Sequence, residues 1–147
     1  QDDGMTSDSQ HDDAGRITEL PEHECLELLT TTTVGRIAFV DAGGQQLVPV
    51  NFACIDGAIY FRTRADGFLS GLEHQHTGVA FGVDRHDDLY RTGWNVTVKG
   101  RVELVQDPDT IETVLTHQRL RPWAGGLRLV VFRVSIDSIA GRKVVGH

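Results

Sequence analysis

Apolar and polar positions change period several times along the chain, and each change marks an element. The clearest stretch is residues 94–105, where Trp94, Val96, Val98, Val102 and Leu104 alternate with Asn95, Thr97, Lys99, Arg101 and Glu103. A period of two sets one apolar face against a core and predicts a strand. Gly100 falls on that apolar face and predicts a bulge or bend. Five shorter runs, residues 34–40, 47–55, 58–63, 79–83 and 127–136, read as further strands. Asp56-Gly57 joins two of them as a two-residue hairpin, since both central positions of that turn favour positive φ. The charged stretch 84–91 reads as a loop. Two segments read as helices. Pro21 suits a first turn and opens residues 22–31, where Cys25, Leu28 and Leu29 share one face. Leu20 offers no capping oxygen, and the β-branched run Thr30–Thr33 ends the helix. Asp107-Pro108 opens a second helix that runs to about Arg119. Gly67 precedes a short apolar segment, residues 68–72, with room for one or two helical turns. Pro122 and Gly125-Gly126 break the chain before the last strand.

Six strands, two or three helices and mostly hairpin-length links predict a mainly β fold, an antiparallel barrel with flanking helices. Strands and helices do not alternate regularly, which argues against a parallel sheet. The 147 residues suit one domain. Residues 34–40 and 127–136 are apolar at both parities, as in Ile37 with Ala38 and Val131 with Phe132. A small barrel has one interior, so helices or a second subunit must cover the other face, and a homodimer is expected.

Charge sharpens the domain boundaries. The net charge is −7, yet residues 1–15 hold Asp2, Asp3, Asp8, Asp12 and Asp13 and no Lys or Arg. The remaining 16 acids and 14 bases nearly balance. Residues 1–16 are therefore expected to form a disordered acidic tail, and residues 17–147 the folded domain. A near-neutral body without a basic patch argues against a nucleic-acid partner. No apolar run is long enough to cross a bilayer. No stretch has the pattern of a secretory signal, and Cys25 and Cys54 read as free, buried thiols, so a cytoplasmic location is expected. Met5 is a candidate natural start.

Several chemistries are excluded by motif. There is no Walker loop, no dinucleotide-binding G-x-G-x-x-G and no G-x-S-x-G elbow. His74 and His76 are two apart and cannot share an ion on a helix; no metal site is expected. The informative stretch is Tyr60-Phe61-Arg62-Thr63-Arg64-Ala65-Asp66-Gly67-Phe68. Tyr60, Arg62 and Arg64 share one face of a strand that ends just before a helix start. Guanidinium forks and free helix N–H groups both suit phosphate. Two ordinary arginines on a barrel rim are the alternative.

The ordered pieces Glu24-Cys25-Leu26-Glu27-Leu28-Leu29, Val34-Gly35-Arg36-Ile37-Ala38, Pro49-Val50-Asn51-Phe52, Phe61-Arg62-Thr63, Thr92-Gly93-Trp94-Asn95-Val96 and Pro122-Trp123 resemble the short, stand-alone branch of the pyridoxamine 5′-phosphate oxidase-like, flavin-binding split-barrel family. The resemblance spans about residues 19–143. It implies a six-stranded antiparallel split β-barrel that dimerises around two flavin sites. It also implies FMN as cofactor, with a deazaflavin coenzyme or haem as alternatives. Arg62 and Thr63 would bind the FMN phosphate, and Val48, Pro49, Val50 and Asn51 would line the ring system, largely through backbone. Thr92, Gly93, Trp94 and Asn95 would approach from a neighbouring strand or the other protomer, Trp94 having a core or interface role as its alternative. Phe68 stands where many relatives have a phosphate-binding Lys, and Arg64 is the candidate replacement. No C-terminal Arg-Leu-x-Pro segment is present, so the resemblance does not extend to true pyridoxamine-phosphate oxidase activity. The implied function is a flavin-binding oxidoreductase acting on a small molecule, with no catalytic side chain singled out. The alternative is a non-catalytic flavin or haem module, for which His74, His76 or His117 would supply the haem ligand.

Overall fold

The computed structural model describes residues 16–64, 72, 78–117 and 129–146. Along the chain lie β1 (Arg16–Glu19), α1 (Glu22–Leu29), β2 (Val34–Asp41), β3 (Gly44–Ile55), β4 (Ala58–Arg64), β5 (Gly78–Asp87), β6 (Thr92–Leu104), α2 (Pro108–Thr116), β7 (Leu129–Val134) and β8 (Ser138–Val145). The six expected strands close a barrel in the order β6-β5-β2-β3-β4-β7, and β7 returns to β6. Every pairing is antiparallel.

Closure depends on β6, which serves two neighbours along one edge. Its residues Gly93 to Lys99 pair with β8, and Val102 to Leu104 pair with β7. The handover falls at Gly100. A Cβ there would lie 1.7 Å from the Ser135 carbonyl oxygen, so only glycine fits. Ser135 fastens the junction: its N–H donates to the Arg101 carbonyl (3.0 Å) and its Oγ accepts from the Arg101 N–H (2.9 Å). The predicted bend at Gly100 is thus the point where the sheet splits.

The barrel interior is aromatic and β-branched. Phe52 and Phe81 meet edge-on at 4.9 Å, while Phe61 and Phe132 stack at 5.5 Å. Such pairs add about 0.5–1.5 kcal/mol each beyond burial. Gly35 makes room for the Phe81 ring, which a Cβ would approach to 2.3 Å. Asp56 and Gly57 take φ of 50° and 77°, as the hairpin reading requires. α1 lies against β6 and β8 and buries Cys25 and Leu29. It lacks a side-chain N-cap, and it ends where the Thr30 and Thr31 hydroxyls turn back onto the Glu27 and Leu28 carbonyls. α2 is capped by Asp107, whose carboxylate accepts from the Thr110 N–H at 2.9 Å. Its Val114 packs with Ala53 and Val131 in a second, smaller cluster outside the barrel.

That second cluster resolves half of the two-faced strand argument. β7 sends Phe132 into the barrel and Val131 under α2. β2 finds no such cover among the described residues: its outward Val34 and Val40 are 52% and 59% exposed, as is the neighbouring Leu47 at 68%.

Three expectations need correction. Two strands were missed, β1 and β8, which extend the sheet from β6 outside the barrel. β1 is wholly exposed, and in β8 Gly141 and Arg142-Lys143 break the alternation, so neither prints an apolar period. Arg16 pairs with Val145 and belongs to the fold rather than to the tail. The presumed loop at 84–91 is strand as far as Asp87, because Asp84 to Asp87 pair with Asn95 to Thr92 beyond the barrel, where burial imposes no pattern. Both helices stop short of the expected ends, at Leu29 and Thr116. Residues 1–15, Phe68, His74, His76, Pro122 and Trp123 lie outside the described residues. No helix among the described residues is long and apolar enough to cross a membrane.

Candidate functional site

β3 and β4 begin as a hairpin and then part. Their ladder covers Phe52 to Ile55 against Ala58 to Phe61. Upstream, Val48 to Asn51 pair only with β2; downstream, Arg62 to Arg64 pair only with β7. A strand directs backbone groups to both of its edges. Alternate residues turn their backbone groups to alternate edges, and the Phe52 N–H donates to Thr33 on the β2 side, so Val48 and Val50 also face β2 while the backbone groups of Pro49 and Asn51 face away from it, with no ladder partner among the described residues. Pro49 has no N–H to satisfy there. Among the described residues no strand bridges the parting, so this backbone edge and Arg62 to Arg64 form the two walls of a candidate cleft.

Parity fixes which side chains reach this cleft. Phe61 and Phe52 point inward, so Arg62 and Asn51 point outward, one step past the end of the ladder. Arg62 is half-buried on the strand face that carries Tyr60. Its Nη1 is inaccessible to solvent and has no hydrogen-bond partner among the described residues. Desolvation pulls the guanidinium below its ordinary value, although it stays charged at any physiological pH. A buried donor without an acceptor is rare in native proteins, since it carries the full desolvation cost. Thr63 is half-buried beside it on the inward face at the barrel end, and Arg64 is exposed. Arg36, which the sequence reading did not single out, stands on the same outer face opposite Pro49. Its Nη1 donates to Asp84 Oδ1 at 3.2 Å. The signal available was its place in Val34-Gly35-Arg36, an outward position on an otherwise apolar strand.

Of the predicted site residues, the fold brings Val48, Pro49, Val50, Asn51, Arg62, Thr63 and Arg64 to one cleft. It does not bring Thr92, Gly93, Trp94 and Asn95 there within one chain. β6 stands three strands from β3, about 14 Å at the usual ~4.8 Å spacing. Those four also divide by face: Asn95 is exposed on the outer face, where its Oδ1 accepts from the Arg142 N–H at 3.2 Å, while Trp94 is half-buried against the core. Phe68 lies outside the described residues.

The other reactive groups do not join the cleft. Cys25 and Cys54 are free thiols, both pushed up from the ordinary value chiefly by burial. Among the described residues no three His, Cys, Asp or Glu are placed to share a metal ion.

With this architecture in view, comparison with known proteins is decisive at the level of family. The family model described as pyridoxamine 5'-phosphate oxidase matches residues 21–143. The chain belongs to the pyridoxamine 5′-phosphate oxidase-like family. Proteins that resemble it include the uncharacterized protein Rv0080 of Mycobacterium tuberculosis, 31% identical over 137 residues, with 90% of this chain and 88% of that one covered. Among solved structures, the FAD binding protein from Mycobacterium smegmatis superposes with a TM-score of 0.76 at 28% identity, covering 88% of this chain and 100% of that one. A FAD-binding protein from Mesorhizobium loti gives 0.71 at 25% identity, covering 88% and 98%. The six-stranded split barrel expected from the sequence is the fold of this family member.

Proposed function

We propose that this protein binds a flavin nucleotide in the cleft between β3 and β4 and serves as a flavin-dependent oxidoreductase for a small molecule. The observation that carries this reading is Arg62, a half-buried cation whose Nη1 is out of contact with solvent and has no hydrogen-bond partner among the described residues. A phosphate is the acceptor that suits it, because the planar guanidinium donates two parallel bonds to one anion. The family membership and the two FAD-binding relatives support a flavin as the bearer of that phosphate. We take FMN as the form bound; FAD would present its own phosphates to the same donor.

When bound, the flavin supplies the hydride chemistry. The chain's residues hold and orient it. Arg62 anchors the phosphate and Thr63 offers a hydroxyl at the same strand end. The Asn51 N–H and the Asn51 and Pro49 carbonyls, which face away from β2, provide a donor and acceptors for a flat, polar-edged ring, and the Pro49 ring presents a rigid apolar contact. Gly93 and Asn95 belong to the proposed site through a second copy of the chain, since within one chain β6 stands three strand spacings from β3 and these residues pair with β5 and β8. The exposed outer face of Val34, Val40 and Leu47 is the surface we assign to that second copy.

Titration of flavin-free protein with FMN and with FAD, followed by flavin fluorescence, tests the reading. Saturable binding is expected, and Arg62→Ala should weaken it about 10–100-fold, the scale of a lost charge-assisted hydrogen bond. Absence of binding by either flavin, or equal affinity in the variant, would overturn it.

A further inference from the structure

The inner face of β6, beyond the mouth of the barrel, holds a second constellation. Trp94 lies directly opposite Arg85 of β5 on one side and Lys143 of β8 on the other. In antiparallel strands such partners point to the same face with Cβ atoms about 4.5–5.5 Å apart. The three side chains therefore form one row, cation–indole–cation. A cavity of about 350 Å³ opens on this row, lined also by Asp87, Thr92 and Val144. Its volume falls within the range of small-molecule sites.

The charges in this row are unspent. Among the described residues neither the Arg85 nor the Lys143 side chain has an ion-pair or hydrogen-bond partner. The one carboxylate of the lining, Asp87, is occupied with its own turn, where its Oδ1 accepts the N–H groups of Leu89 and Tyr90 at 2.9 and 3.2 Å. His86 faces the other way along β5 and approaches Asp88 at 3.6 Å. Trp94 is half-buried, so one part of the indole packs on the core and the rest faces the cavity. The row lies on the opposite sheet face from Asn95, Asn51 and Arg62, and so on the opposite side from the flavin cleft.

We propose that this cavity is a separate binding site for a planar aromatic compound bearing a carboxylate or phosphate. The indole offers a flat stacking surface. The flanking cations place positive charge on both sides of a stacked ring, and arginine grips either anion through its planar fork. A neutral aromatic would satisfy only the indole, and an inorganic anion only the cations. The site asks for both features in one molecule.

The test uses the full-length, flavin-free protein with 2-naphthoate and 2-naphthyl phosphate as probes, and neutral 2-naphthamide as their counterpart. Binding is read by calorimetry and by quenching of tryptophan fluorescence. At least one anionic probe should saturate the protein and bind about ten-fold or more tightly than the amide, the scale of one charge-assisted contact. Which probe is tighter identifies the preferred anion. The double variant Arg85→Gln with Lys143→Gln should lose that ten-fold advantage while keeping its circular dichroism spectrum and its FMN affinity. Raised salt should weaken the anions in the wild type and leave the amide unchanged. The proposal is overturned if neither anion saturates, if amide and anions bind alike, or if the double variant binds the anions as the wild type does. Loss of FMN binding in that variant would show that the two sites are one, which also contradicts it.

Discussion

At the scale of single residues, Arg62 separates folding from function. An unpaired donor out of contact with water opposes folding, and removing it relieves that cost. Arg62→Ala is thus expected to melt at the same temperature as the wild type or higher when flavin is absent. With flavin in excess the order should reverse, because a ligand that binds only the folded state raises its stability. Thermal unfolding of both proteins with and without FMN reads this crossing directly; a variant that is less stable without flavin would mean that Arg62 is a structural cation. Gly100 shows how a residue can be singled out by pattern and explained only by three dimensions. Its place on an apolar face announced a bend, but the carbonyl of Ser135, 35 positions away in sequence, is what forbids a side chain. The sequence reading reached Arg62 through its neighbours in the strand and through resemblance; nothing in one dimension shows that Nη1 lacks a partner.

At the scale of elements, legibility followed burial. β6 is covered on one face and prints its period, and β2 prints a continuous apolar run, so their positions were readable to within a residue or two. β1 and the outer end of β5 are held by backbone pairing with side chains in solvent, β8 adds little beyond Ile139 to the core, and no apolar pattern marks them. The cleft itself was invisible for a related reason. It arises where a ladder stops between Phe52–Phe61 and the next residues, and the stopping point of a ladder is a property of pairing rather than of composition. α2 illustrates the opposite case, since Asp107-Pro108 states its start plainly. Two hydrogen bonds from Thr110 hold the Asp107 carboxyl below its ordinary value. A depressed folded-state value stabilises the fold above the unfolded value, and the contribution fades as pH falls through the folded one. Asp107→Ala should therefore lower stability at neutral pH and lose part of the difference below about pH 4, near the unfolded carboxyl value. Urea titrations at pH 7 and pH 3 check this; a gap between variant and wild type that stays constant or widens in acid would refute it.

At the scale of the whole molecule, one barrel leaves one apolar surface unaccounted for. α1 and α2 cover opposite parts of the sheet, while the outer face of β2 and β3 keeps Val34, Val40 and Leu47 in solvent. Isolated exposed apolar residues are ordinary, but here three share adjacent strands, with Ala38 directly opposite Leu47. In the proposed function a second copy covers that face and supplies the distant Gly93 and Asn95 to the flavin cleft, so dimerisation and cofactor binding should fail together. Leu47→Asp is expected to sediment as a monomer and to bind FMN more weakly, although Leu47 is not itself a cofactor contact. A dimeric variant, or a monomer of undiminished affinity, would detach the two. The most direct test of the central claim is a crystal structure of the flavin complex. The account predicts the flavin phosphate within hydrogen-bond distance of Arg62 Nη1, with the ring system along the free edge of Val48 to Asn51. A phosphate bound elsewhere, with Arg62 still lacking an acceptor, would contradict it.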